Sequence, residues 1–163
     1  MTKRGGWRYY ADFVLFPLAA VSIALVYCRS LEWVGLAILG FLLWTFAEYW
    51  AHRSVLHRWF WHGIHERHHR HPAEYVVFPP LQLALYGAAY VAAFLMLPLS
   101  VFDGLLFGSS WFITLHHLLH HIDLQPHTLL HRYSIWHNRH HRFDDCNYGI
   151  TVPVWDWLFR TSR

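Results

Sequence analysis

Charge is scarce in this sequence. Only 14% of its 163 residues are Asp, Glu, Lys or Arg, against 55% hydrophobic, where soluble domains carry roughly one-quarter charged residues. That balance excludes an ordinary water-soluble chain and points to a membrane protein. Cysteine is nearly absent as well. Cys28 and Cys146 stand far apart and form no CxxC pair, zinc ribbon or disulfide framework. The length leaves room for one domain, residues 1–163.

What is present instead is a set of long uncharged runs. Residues 13–28 follow Lys3, Arg4 and Arg8 in the manner of a signal peptide. The run ends Val26-Tyr27-Cys28-Arg29, however, with no small-residue cleavage site, so an uncleaved span is expected. A second run begins at Trp33 and continues through Glu48 into the first histidines, and two more occupy 75–102 and 104–115, with Pro98 and Asp103 breaking the middle. The expectation is an all-α integral membrane protein with four transmembrane helices in two hairpins, near 13–28, 33–51, 81–97 and 99–115. Four crossings put both termini and the histidine-rich regions 52–71 and 116–141 on one side, in a helical cap. Of thirteen Lys and Arg residues only Arg29 is left on the other side, the distribution expected of a cytoplasmic face. Topology thus accounts for the net charge of +3, and no nucleic-acid partner is expected.

All sixteen histidines lie between His52 and His141. In HERHH, His65 pairs with His68 and His69 at i, i+3 and i, i+4, so the three share one side of a helix, while His68 and His69 diverge by about 100°. Adjacent histidines can therefore serve two ions. HNRHH repeats the pattern with His137, His140 and His141, and HHLLHH supplies the i, i+4 pair His116 and His120, shadowed by His117 and His121. In HRSVLH, His52 and His57 are five apart, about 140° on an ideal helix, so that pair needs a helix end, a distortion or two separate ions. So many imidazoles exceed what a structural zinc requires, and two ions are the economical reading. Too few acids lie near them for a carboxylate-bridged site on bundle helices.

The boxes HRSVLH, HERHH, HHLLHH and HNRHH, followed by NYGITVPVWDWLF, resemble the integral-membrane fatty acid hydroxylase and sterol desaturase superfamily over about residues 48–161. The resemblance implies a non-haem di-iron oxidoreductase, a monooxygenase that uses O2 and two electrons to hydroxylate or desaturate a C–H bond of a fatty acyl, sterol or carotenoid lipid. Carried over box by box, it implies ten ligands: His52 and His57; His65, His68 and His69; His116 and His120; His137, His140 and His141. The implied cofactors are two iron ions, with zinc as the alternative on purification, and O2 is the co-substrate. His117 and His121 are the rivals of His116 and His120. The partners implied are a lipid entering from the bilayer and a separate electron donor, cytochrome b5-like or ferredoxin-like, because no cytochrome b5 module precedes the spans.

Around the ligands, Glu48 lies one helical turn before His52 and is a candidate to accept from a ligand ring, with Asp144, Asp145 and Asn147 doing the same beside the last box. Trp59, Phe60 and Trp61 are candidates to roof the site. Two other classes compete. A histidine-lined metal or proton transporter needs polar residues along a path through the spans, whereas 13–47 and 75–102 hold no charged residue except Arg29 and Glu32, and a b-type haem carrier needs its histidines inside the bilayer, whereas here they cluster at helix ends. The sequence supplies neither arrangement.

Overall fold

The computed structural model describes residues 6–59 and 61–163, and among these every regular element is a helix. In chain order they are α1 (Trp7–Tyr10), α2 (Asp12–Tyr27), α3 (Leu31–Trp50) with a π-helical continuation over Ala51–Leu56, α4 (His62–Arg70), α5 (Pro80–Met96), α6 (Leu99–His121), α7 (Leu129–Arg142) and α8 (Val154–Leu158). The four expected spans each fall on a helix: α2, α3, α5 and α6. Two stretches, Trp7–Tyr27 and Leu31–Leu56, are long and apolar enough to cross a membrane. The chain divides into two compact units, Met1–Trp44 with Tyr75–Ser110, and Thr45–Glu74 with Trp111–Arg163.

The first unit is apolar on all sides. Leu15, Leu18, Leu25, Ile38, Val91 and Leu95 are exposed, a pattern suited to lipid rather than water. Its core joins Ala20, Phe102 and Leu106, with Phe16 and Tyr90 packed against them. Two glycines permit close backbone contact. A Cβ on Gly40 would collide with the Val101 carbonyl, and one on Gly104 with the Ala37 carbonyl, a small-residue contact of the kind that joins membrane helices. Leu97 is extended at the break before α6, as the following Pro98 demands.

The second unit holds every histidine. Leu115, Leu119 and Ile150 form its apolar core, with Phe112, Leu124, Leu130 and Tyr133 around them. Thr128 caps α7, its hydroxyl oxygen accepting from the His131 amide at 3.2 Å, which supplies one of the partners a helix start lacks. Residues 146–151 run as a buried strap, and its amides need acceptors. Two buried carboxylates provide them. Asp156 takes the Tyr148 amide at 2.8 Å and the Gly149 amide at 2.7 Å, while Glu48 takes the Ile150 amide at 2.7 Å and the Thr151 amide at 3.0 Å. Asn147, at φ 54°, donates to the Trp136 carbonyl at 3.2 Å and accepts from the Arg163 amide at 2.8 Å. Gly149 has no room for a side chain, since a Cβ there would lie 2.9 Å from an Asp156 oxygen.

Candidate metal centre

Ten histidines gather into two groups. His52, His57, His65, His69 and His140 form one and His68, His116, His120, His137 and His141 the other, with the ligand-type nitrogens of each group all within 4.8 Å of one another. These are the ten carried over from the boxes. His62, His71, His117, His121, His127 and His131 stand outside both groups. The rings of His117 and His121 face each other with centroids 4.8 Å apart, and His62 lies 4.0 Å from Glu66.

Local geometry explains the sorting. The π-helix over Ala51–Leu56 closes its hydrogen bonds i to i+5, so it turns His57 onto the face of His52, and both rings enter the first group. It is the distortion that the five-residue spacing demands. On α4, His65 and His69 share the first group while His68 enters the second; on α7 the roles reverse, His137 and His141 sharing the second while His140 enters the first. Each H-x2-HH box thus gives an i, i+4 pair to one group and the intervening ring to the other. On α6, His116 and His120 add one more i, i+4 pair to the second group.

Within a group the Nε2 atoms converge. The separation is 2.9 Å for His52 and His65, 3.0 Å for His57 and His65, 3.0 Å for His65 and His69, and 3.2 Å for His57 and His140. In the second group it is 3.2 Å for His68 and His116, 3.1 Å for His116 and His120, 2.8 Å for His120 and His137, and 3.1 Å for His137 and His141. An ion held by imidazole at about 2.1 Å sets ligands at right angles about 3.0 Å apart and tetrahedral ligands about 3.4 Å apart. The spacing and the count of five therefore fit a five- or six-coordinate transition metal better than tetrahedral zinc.

Tautomers sharpen the fit. His52 donates from Nδ1 to the Tyr148 carbonyl oxygen at 2.6 Å, and His140 from Nδ1 to the Cys146 carbonyl oxygen at 2.6 Å. A neutral ring has one N–H, so both Nε2 atoms present bare lone pairs to their neighbours. Lone pairs aimed at a common point repel unless a cation lies between them. Protons are poor candidates for that cation. Burial, reinforced by the neighbouring rings, lowers His57 to about 4, His68 and His120 to about 3, and His141 to about 2. The rings are neutral at physiological pH, the state a metal requires.

The expected supporting acids act differently. Glu48 is engaged with the strap amides of Ile150 and Thr151 rather than with a ligand ring, so it reaches His52 only through the strap. Asp144 lies 2.9 Å from Nδ1 of His69, a ring of the second box and not the last. Asp145 accepts from Arg163, and Asn147 fastens the strap. Arg53 donates to the Tyr49 hydroxyl at 2.9 Å, leaving Glu48 to its amides. Tyr49 itself is 2% exposed, a buried strut. Trp59 is exposed and packs edge-on against Trp50 at 6.0 Å; Phe60 lies outside the described residues. Sequence reasoning places Asp156, with Asn147, Gly149, Pro153 and Trp155, in a structural turn that closes the cap, and Asp156 does bind the amides of that segment; the carbonyls of Cys146 and Tyr148 have no side-chain signal.

An all-helical chain with paired five-histidine groups has counterparts among known proteins. The family model for fatty acid hydroxylase matches residues 37–161, and the chain belongs to that family. Among its relatives, dihydroceramide fatty acyl 2-hydroxylase FAH1 of Arabidopsis thaliana is 32% identical over 151 residues, covering 82% of this chain and 63% of the relative. Fatty acid 2-hydroxylase of Mus musculus is 29% identical over 178 residues, covering 95% of this chain and 48% of the relative. A solved structure described as full length scs7p, only the hydroxylase domain visible, matches with a TM-score of 0.78 at 28% identity, covering 95% of this chain and 66% of that one. The chain thus spans about half to two-thirds of the length of these proteins.

Proposed function

We propose that this protein is an O2-dependent, non-haem di-iron hydroxylase that oxidises a C–H bond of a fatty acyl chain. The observation that carries the reading is the convergence of ten neutral imidazoles into two five-nitrogen groups. The names of the relatives favour an acyl chain over a sterol or carotenoid and hydroxylation over desaturation, with carbon 2 of the chain as the target.

In this reading His52, His57, His65, His69 and His140 hold one iron, and His68, His116, His120, His137 and His141 the other. The metal pair, when bound, supplies the power to activate O2 toward an unactivated C–H bond. The chain's own groups do the rest. The strap carbonyls of Cys146 and Tyr148 hold His140 and His52 in one tautomer and one orientation, so their lone pairs are aimed before an ion arrives. The low proton affinity of the buried rings keeps them available as donors. The lipid approaches from an apolar environment, which excludes water from the reacting carbon.

Four membrane crossings, with the histidine groups and both termini on the cytoplasmic face, complete the proposal, and the electrons come from a separate cytochrome b5-like or ferredoxin-like donor. Of the proposed spans, α2 and α5 carry no charged residue beyond Asp12, and Glu48 on α3 is engaged with the strap amides. The deciding experiment compares lipids from a host making this protein with those from a host making the His68→Ala, His69→Ala double variant, alongside iron per chain in each purified protein. A 2-hydroxy acyl product and about two irons, both lost in the variant, are the expected result. Identical lipid profiles and iron contents would overturn the assignment.

A further inference from the structure

The two histidine groups differ in what stands behind their rings. In the first group two of five rings donate from Nδ1 to main-chain carbonyls, His52 to Tyr148 and His140 to Cys146, each at 2.6 Å; Nδ1 of His69 lies 2.9 Å from the Asp144 carboxylate without hydrogen-bond geometry. The carbonyl acceptors are themselves immobilised. Residues 146 and 148 flank Asn147, whose side chain is bound to Trp136 and Arg163, and the Tyr148 and Gly149 amides are gripped by Asp156. In the second group Nδ1 of His68 and His137 is buried without a hydrogen-bond partner among the described residues, and the His141 ring has only the His69 main chain acting on it.

Backing of this kind acts in three ways. It locks the tautomer, so the lone pair is always on Nε2. It fixes the ring plane, so less motion is lost on binding an ion. It also draws the Nδ1 proton outward, which strengthens donation through Nε2. Loss of such a partner typically weakens metal binding about 10–100-fold. The first group has two such partners, both carbonyls of the rigid strap, and a carboxylate beside a third ring, whereas His68 and His137 of the second group have none.

We infer that the two metal positions are unequal: the His52 group is the firm site, and the His68 group is the exchangeable one from which an ion leaves first. This rests on the ten histidines being ligands and adds an order of occupancy to that reading. It also makes Asp144 a positioning residue, acting on the metal through His69. Its side chain is 74% exposed, so its removal leaves the buried structure intact.

The test uses the full chain in detergent, loaded with cobalt(II) alone and titrated with a chelator, with ions per chain counted by mass spectrometry and the ligand-field absorption recorded at each step. Two phases are expected, the first ion leaving at a chelator concentration at least 10-fold below that needed for the second. Asp144→Asn moves the second phase about 10-fold toward the first and leaves the first where it was. His137→Ala removes the easily lost ion only, and His140→Ala the firmly held one, helical content serving as the check that each variant is folded. A single phase in the unaltered chain, or a shift of only the first phase in Asp144→Asn, overturns the inequality while sparing the ligands. A folded chain that takes up no cobalt overturns the ligand reading and the inequality with it.

Discussion

His52 donates its Nδ1 proton to the carbonyl oxygen of Tyr148 across 2.6 Å, tying the first histidine box to a strap ninety-six residues further along the chain. The strap is held in place to accept this bond by Asp156 and Glu48, which take its amides. A single carboxylate therefore supports both the fold of this segment and the aim of the His52 ring, which gives the first prediction.

Asp156 accepts from the Tyr148 amide, the Gly149 amide and the Thr161 hydroxyl at 2.7–2.8 Å and is fully buried. Asp156→Ala leaves the two buried amides without an acceptor, at about 1–3 kcal/mol each, while the Thr161 hydroxyl keeps the Tyr49 hydroxyl at 3.0 Å. Partial relaxation brings the expected loss to about 3 kcal/mol, read as a lower denaturation midpoint in detergent. Asp156→Asn keeps one acceptor oxygen and should lose less. Equal stability of Asp156→Ala and the unaltered chain would show that the strap is held by other means.

The π-helix makes a test of register. A π-helical turn amounts to one extra residue in an α-helix, so deleting Ser54 converts Ala51–Leu56 to regular α-helix and leaves His52 and His57 at i, i+4 on one face. Inserting an alanine after Ser54 turns His57 away by about 100°. The deletion should keep metal content near that of the parent, whereas the insertion should lower it by about one ion per chain. Metal analysis of the two purified variants decides the matter, and the opposite ranking would mean that the bulge has no part in aligning these rings.

Histidines inside and outside the groups should separate cleanly. His65→Ala or His137→Ala removes a nitrogen at the centre of a group and is expected to lower bound iron together with product, product falling at least 10-fold. His127 sits at φ 67° in a turn, so His127→Gly relieves a backbone conformation that side chains disfavour and should leave both quantities within about twofold. Iron retained in His65→Ala would require a different ligand set.

Much of this was legible in the sequence, and the illegible part has a common cause. The boxes reveal themselves because i, i+3 and i, i+4 spacing is local helix geometry, as do the spans, which need only a run of apolar residues. The five-residue gap between His52 and His57 announced a problem without choosing its solution, because a π-helix is a local irregularity that packing selects. The partners of Glu48 were illegible for a longer-range reason. Its distance from His52 along α3 is known in advance, but the amides of Ile150 and Thr151 arrive from 102 and 103 residues away. The structural turn that holds Asp156 was legible, but its partners were hidden in the same way, since they depend on how a turn-rich segment folds back.

Acid should weaken the metal-free protein. Burial first, and the charges of neighbouring rings second, lower His68 and His120 to about 3, and burial is the leading cause for His57 at about 4. In the unfolded chain these rings titrate near 6.5. Below about pH 6.5 the unfolded state takes up protons that the folded state refuses, so stability is fully present above that pH and declines toward pH 4. Denaturation midpoints measured with a chelator at pH 8, 6.5 and 5 should fall in that order below pH 6.5. A flat profile would mean that the rings are not held neutral by the fold.

The first unit offers a prediction that involves no metal. A Cβ on Gly104 would strike the Ala37 carbonyl and lie 2.8 Å from the Phe41 amide nitrogen, and one on Gly40 would come within 3.1 Å of Gly104. Both obstacles are backbone, which cannot rotate aside as a flexible side chain does, so Gly104→Ala must part the helices and lose the contacts between them. Overpacking of this sort costs about 1–3 kcal/mol. Gly87, on α5, has nothing within 4 Å of the same position, and there alanine gains helix propensity of up to about 1 kcal/mol. Two chemically identical substitutions should therefore have opposite signs, Gly104→Ala lowering and Gly87→Ala holding or raising the resistance of the protein to denaturant in detergent. If both are neutral, the close approach of backbone at Gly40 and Gly104 is not what holds α3 against α6.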